Sequence, residues 1–352
     1  MRGDLSIPGI NFVHGGIAAW RDVAADSGRT ISDSELSPRL RLGREIWIVQ
    51  AFHRLRARGY PVRLTGGTES DSINVLHSDD FVGTSPGCFI VCVRADREPR
   101  FDADVEVVQN RTCLWKANDT YVPHWPQPGI VPRDPARGAE IRRVAYLGKE
   151  VNLAPDLRAE AFTHSLERNG MELVVREDRW WDYSDIDVVL AVRDGTPLYL
   201  NLKPSSKLVN AWIGDCPALV GPERGYQEIR KGALDFIECR SADQALQGLR
   251  RLRGQPDLYR AMVENGRVRR AEFSADAVTD RWEEVIGEVL IPRYLDWQRT
   301  PRRSRRGWLV QIRQRLWGTQ VVHYPRPAPK RALNWARRAV ALPRSIQAGR
   351  PA

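Results

Sequence analysis

The chain has 352 residues and a mass of 40.1 kDa, enough for two domains that each bury a core. Hydrophobic residues make up 42% and charged residues 28%, mean hydropathy is −0.45, and no apolar run approaches the roughly 20 residues of a membrane-spanning helix, so collagen, coiled coil, full disorder and an integral membrane protein are excluded. The net charge of +10 is localised, because residues 299–352 hold fourteen Arg or Lys and no Asp or Glu, leaving 40 basic against 44 acidic side chains elsewhere.

The opening MRGDLSIPGINFVHGG reaches Gly and Pro before it builds the apolar run of a secretory signal, so a cytoplasmic protein is expected. INFVHGG reads as a strand and glycine turn, followed by a long helix from about Pro38 to Arg58 and by strands at VRLTG, INVLHS, CFIVCVRAD and VEVVQN. YVPHWPQPGIVPRDPARG, residues 121–138, holds five prolines and is expected to be a stiff linker outside any sheet or helix. Beyond it, short Val/Ile/Leu runs alternate with helical spacing, the mark of parallel βαβ units. VAYLG, MELVVR, DVVLAV, PALVG and LDFIEC read as strands, and PDLRAEAFTHSLERNG, SSKLVNAWIGD, RGYQEIRKG and ADQALQGLRRLRG as helices, the last capped by Ser241. The expected fold is α/β, with two doubly wound, Rossmann-like domains facing a cleft. Expected divisions are 1–135 with its Pro-rich linker, 139–290, and a basic helical tail at 291–352.

The richest stretch for chemistry is LNLKPSSKLVNAWIGDCPALVGPERGYQEIR, residues 200–230. Ser205 or Ser206 can cap a helix whose first turn carries Lys207, and Lys207 and Asn210 lie three apart, so both are expected on one helical face and in one cleft. Free N–H groups at a helix start with a lysine beside them suit a diphosphate. Glu223 follows the next strand, where open α/β sheets bind ligands, and is expected to accept hydroxyls.

KPSSKLVNAWIGDCPALVGPE resembles the donor-site motif of GT-B nucleotide-sugar glycosyltransferases, and YLGK at 146–149 resembles the Tyr-x-Gly-Arg that opens their carboxyl-terminal domain. The resemblance is specific only over about residues 144–240. It implies that Gly148 and Lys149 approach the donor diphosphate, with Lys203, Ser205, Ser206 and Lys207 on the same side. Asn210 stands where those enzymes place a ribose-binding glutamate, and Glu223 where an acidic residue meets nucleotide or sugar hydroxyls.

His14, before Gly15 and Gly16, is a candidate general base for an acceptor hydroxyl; Asp96 is its rival, and Asp79 and Asp80 come third. Asp185-Ile186-Asp187 is read as a turn before a strand rather than a metal site. No HxH or HExxH spacing occurs, no bound metal or other cofactor is expected, and the absence of GxxxxGK[ST] and GxGxxG argues against a P-loop ATPase and a dinucleotide dehydrogenase. Cys88, Cys92, Cys113, Cys216 and Cys239 show no CxxC pairing and are expected to be reduced, buried thiols.

In the tail, Trp308, Ile312 and Leu316 recur every four residues between Arg305, Arg306, Arg313 and Arg315, and Leu333, Ala336 and Val340 suggest a second basic amphipathic helix. An anionic membrane surface met by 299–345 is the preferred partner, ahead of nucleic acid, giving a peripheral protein on the inner face of the cell membrane. These readings converge on a glycosyltransferase moving a sugar from a nucleotide-sugar donor to a glycan or lipid-linked glycan. A nucleotide-sugar 2-epimerase of the same fold and a noncatalytic sugar- or nucleic-acid-binding protein stand as alternatives, and inversion or retention at the anomeric carbon stays open.

Overall fold

The computed structural model describes residues 8–25, 31–81 and 87–299. The expected tail helices, with Trp308, Ile312, Leu316, Leu333, Ala336 and Val340, lie outside these residues.

The amino-terminal half runs β1 (Gly9–Val13), α1 (Arg21–Ala24), α2 (Asp33–Leu36), a π turn at Glu45–Val49 continuing into α3 (Gln50–Ala57), then β2 (Val62–Thr65), β3 (Ser72–His77), β4 (Phe89–Val93), β5 (Val105–Val108) and β6 (Asp119–Tyr121). All six strands are parallel, in the order β2-β1-β3-β4-β5-β6. β3, β4 and β5 are buried at every position, which explains why they are mostly apolar with few breaks. The helix expected from Pro38 is interrupted. Ser37–Arg39 forms a single 3-10 turn, and the Glu45 carboxylate accepts the Arg41 and Leu42 amides at 2.9 and 2.7 Å, which restarts the helix after Gly43. β6, three residues with polar members, carried no alternating signal and was not expected.

The second half runs β7 (Arg143–Leu147), α4 (Glu160–Arg168), β8 (Glu172–Arg176), β9 (Val188–Ala191), α5 (Pro197–Asn201), α6 (Ser206–Ile213), β10 (Ala218–Val220), α7 (Arg224–Gln227), β11 (Ile237–Glu238) and α8 (Ala242–Gly254). Its parallel sheet has the order β11-β10-β9-β7-β8, so the winding reverses between β7 and β9. Each face of this sheet has its own core, one under α4 and α8, the other under α6. Ser241 caps α8 as expected, accepting the Gln244 amide at 3.3 Å.

After α9 (Pro256–Arg269) the chain returns to the first half. α10 (Ala275–Val285), a π turn at Ile286–Leu290 and α11 (Ile291–Arg299) place Val278, Trp282, Val285, Leu290 and Tyr294 in the core of the first sheet. Packing therefore changes hands near residue 274 rather than at the expected 290, because the apolar stripe of α10 faces β1 and α3.

The Pro-rich segment is a connection, but not a free strut. Val122 and Trp125 are fully buried, Val131 bridges Asp182, and the Val131, Arg133 and Asp134 amides donate to Trp181, Gly214 and Ser184 at 2.9–3.0 Å. At a second crossing point, Gln109 Nε2 donates to Leu202 O at 2.9 Å, and the Glu228 carboxylate accepts the Arg111 and Thr112 amides at 3.1 Å. The five cysteines are all buried and unbridged.

Candidate functional site

A cleft of about 550 Å³ opens between the carboxyl ends of the two sheets, at the position where doubly wound sheets bind ligands. Arg97, Lys149, Arg193, Lys203 and Lys207 line it, against the acidic Asp79 and Asp96.

The second half supplies most of the cations. Gly148 follows β7 with φ +138°, and an added Cβ would stand 2.8 Å from Lys207 Nζ, so only glycine lets the lysine reach the strand end. There Lys207 donates to Leu147 O and lies 4.3 Å from the Tyr146 ring centroid. Burial, with the nearby positive Arg193, pushes the Lys207 pKa well below its ordinary value.

Arg193 is the second residue beyond the end of β9 at Ala191. Burial opposes its charge, but Tyr226 and Glu223 outweigh it and raise the pKa, with the guanidinium 3.3 Å from both Glu223 Oε1 and Tyr226 Oη. The sequence reading missed Arg193; a basic residue ending a strand at the reversal of winding was the available signal. Glu223, 1% exposed, stands behind Arg193 and does not line the cleft, contrary to the expected hydroxyl-acceptor position.

Asn210 also departs from expectation. Its Oδ1 accepts the Gln127 amide at 3.0 Å, so it holds the interdomain connection and does not line the cleft beside Lys207. Ser205 takes the N-cap position of α6 without a side-chain cap bond, and neither Ser205 nor Ser206 lines the cleft. Lys149 lines it and is exposed. Lys203 is paired across the cleft with Asp96, which also meets Arg97 Nη1 at 3.1 Å. Burial works against the Asp96 charge, yet Lys203 and Arg97 hold its pKa far below the carboxylate range. A carboxylate so held is a poor proton acceptor.

Histidines occupy the opposite rim. His77, at the end of β3, accepts the Asp79 amide at Nδ1 (3.1 Å), and burial pushes its pKa down to about 4. His124, inside the Pro-rich segment, directs Nδ1 at Trp125 O, an acceptor only, so Nδ1 carries the proton and Nε2 keeps its lone pair. Its ring meets Trp47 edge-on at 5.5 Å, and burial keeps it neutral by lowering its pKa. Both histidines line the cleft and neither was singled out from sequence, His124 because its surroundings read only as linker.

The expected base His14 is 1% exposed and does not line the cleft. Its Nδ1 accepts the Gly16 amide at 3.0 Å, and burial lowers its pKa. Asp80 sits beside Gly15 and meets Arg44 at 3.2 Å, while Asp79 holds Arg97 at 2.7 Å. Asp187 is occupied by Arg133, Arg137 and the Arg142 and Arg143 amides, and Asp185 by Arg143 and Arg176, so this pair serves the turn before β9.

No family model and no curated protein sequence matches the chain. Solved structures do. AviGT4, a glycosyltransferase involved in avilamycin A biosynthesis, superposes with a TM-score of 0.51 at 15% identity, over 81% of this chain and 98% of AviGT4. TarM follows at 0.46 and 8%, over 68% of this chain, which spans 58% of TarM's length. HepE of Anabaena, solved with UDP and glucose, matches at 0.43 and 9%, over 73% of this chain and 77% of HepE. With two parallel doubly wound sheets around a cleft, the chain shares its fold with AviGT4, the two-domain GT-B fold.

Proposed function

We propose that the protein transfers a sugar from a nucleotide-sugar donor to an acceptor hydroxyl. The observation that carries this reading is the convergence of Arg193, Lys207 and Lys149 on the end of β7, where a diphosphate would meet a fixed guanidinium, a buried amine and a glycine turn. As the bond between the anomeric carbon and the diphosphate oxygen breaks, the electron pair leaves with the nucleotide. Arg193 is already charged to receive it, and the anion favours the charged form of Lys207, whose pKa burial has lowered. These side chains neutralise the leaving group, so this mechanism calls on no metal.

On the far rim, the Nε2 lone pair of His124 is suited to accept the acceptor's hydroxyl proton in a direct displacement. A glycan or lipid-linked glycan is the proposed acceptor. The basic amphipathic pattern of 299–345 supports delivery at an anionic membrane surface. Among the described residues no helix is long and apolar enough to cross a membrane.

The test is thermal unfolding with UDP, GDP, dTDP and their sugars, followed by turnover with the nucleotide that shifts the transition. A ligand at a hundred times its Kd adds about 2.7 kcal/mol. Lys207→Ala, well folded, should lose the shift and the turnover. Equal shifts and rates in wild type and Lys207→Ala would overturn the reading.

A further inference from the structure

A second cavity, of about 540 Å³, shares no lining residue with the cleft. It sits where the chain passes between the two halves, because Pro126–Ile130 of the Pro-rich connection and Ala271, Ser274 and Ala275 of the return to the first half line it. Two elements run from the cleft to this cavity. The helix that carries Trp47 in the cleft presents Gln50, His53 and Arg54 here, and α6 runs from Lys207 in the cleft to Ile213 here.

The lining is chemically divided. Leu36, Leu40, Pro126, Pro128, Ile130 and Ile213 form apolar wall. Gln50 lines the same space, is 5% exposed, and its Oε1 has no hydrogen-bond partner. A buried acceptor of this kind is destabilising unless a donor reaches it. Of the three lining guanidinium groups, Arg54 is paired with Asp33 at 2.6 Å, the one lining carboxylate, which leaves Arg267 and Arg270 to face the space. Asp215, behind the wall, orients Arg267 (3.0 Å) and Arg270 (3.4 Å).

We infer that this hinge cavity is a second small-molecule site, built for an amphipathic organic anion. Its apolar body packs on the Leu, Ile and Pro wall, an N–H or O–H meets Gln50 Oε1, and its anionic group meets Arg267 and Arg270. The volume is that of a drug-sized ligand pocket, and such a ligand touches both halves of the molecule at once.

Anilinonaphthalene sulfonate has all three features and reports burial by fluorescence. Titrated into the full chain, it should saturate one site, and excess UDP should leave it bound. Arg270→Glu and Ala271→Phe, both at solvent-accessible positions, reverse a charge and fill the cavity, and each should weaken the probe about tenfold or more. Gln50→Met keeps the packing and removes the acceptor, and should weaken it several-fold. Thermal unfolding establishes that each variant is folded. Displacement of the probe by UDP, absence of saturable binding, or unchanged affinity in any folded variant of the three would overturn the site.

Discussion

The two rims of the cleft are built from the same architecture and do opposite electrostatic work. At the ends of β7 and β9 the fold concentrates positive charge, with Arg193 held charged by Glu223 and Lys207 buried beside it. At the end of β3 and in the crossing segment it keeps imidazoles neutral, and the carboxylate it offers, Asp96, is tied to Lys203. One rim suits a departing anion, the other the removal of a proton. Shared winding does not decide which; the side chains placed at and around the strand ends do.

The sharpest way to break this comparison is Lys207→Ala, expected to lower turnover about 100- to 1,000-fold, the usual effect of removing a preorganised charge stabiliser. His124→Ala should cost about 100-fold or more in turnover and flatten the acidic limb of the pH–rate profile, while His14→Ala, away from the cleft wall, should change turnover less than about tenfold. A larger effect at His14 than at His124 would reverse the roles assigned to these residues.

Arg193→Ala tests the support behind the cationic rim. It leaves Glu223 buried without its cation and should destabilise the protein by about 3–5 kcal/mol, seen in chemical denaturation. Adding Glu223→Gln should restore most of that stability but not donor binding. If the double variant regains donor affinity, Arg193 is structural only.

Two pH effects separate the rims further. His77 binds its proton less well folded, at about 4, than unfolded, at the ordinary 6.5, so the unfolded state takes up protons first. The His77 contribution is fully present above pH 6.5 and declines as pH falls towards 4, by about 3 kcal/mol in all. His77→Phe should flatten that part of the stability curve. Lys207, with its lowered pKa, should take up a proton when UDP binds, so UDP affinity should fall as pH rises through that pKa. Calorimetry in buffers of different ionisation enthalpy would reveal the uptake, and Lys207→Met should abolish it.

Much of this was legible in the residue order. Buried parallel strands are mostly apolar and Val-rich, so β4, β5, β7 and β9 announced themselves; Lys207 stood out by its place in the first turn of a helix, and Gly148 through the resemblance of YLGK to a known motif. Asn210 misled because a three-residue spacing places two side chains on one broad face, yet α6 lies between the cleft and the crossing segment, and its two neighbours divide that face. His124 was hidden for a related reason. Five prolines predict an extended chain correctly, but not that Trp125 beside it would be fully buried or that its carbonyl would set the imidazole tautomer.

The sequence alone determined two doubly wound layers and a helix-borne lysine, because hydrophobic period and helix capping are local properties. Only the tertiary structure decided that Arg193 rather than Glu223 faces the cleft, that Asp96 is spent on Lys203, and that α10 and α11 close the first core. Each of these depends on which charge loses its water and which partner, distant in the chain, stands close enough to replace it.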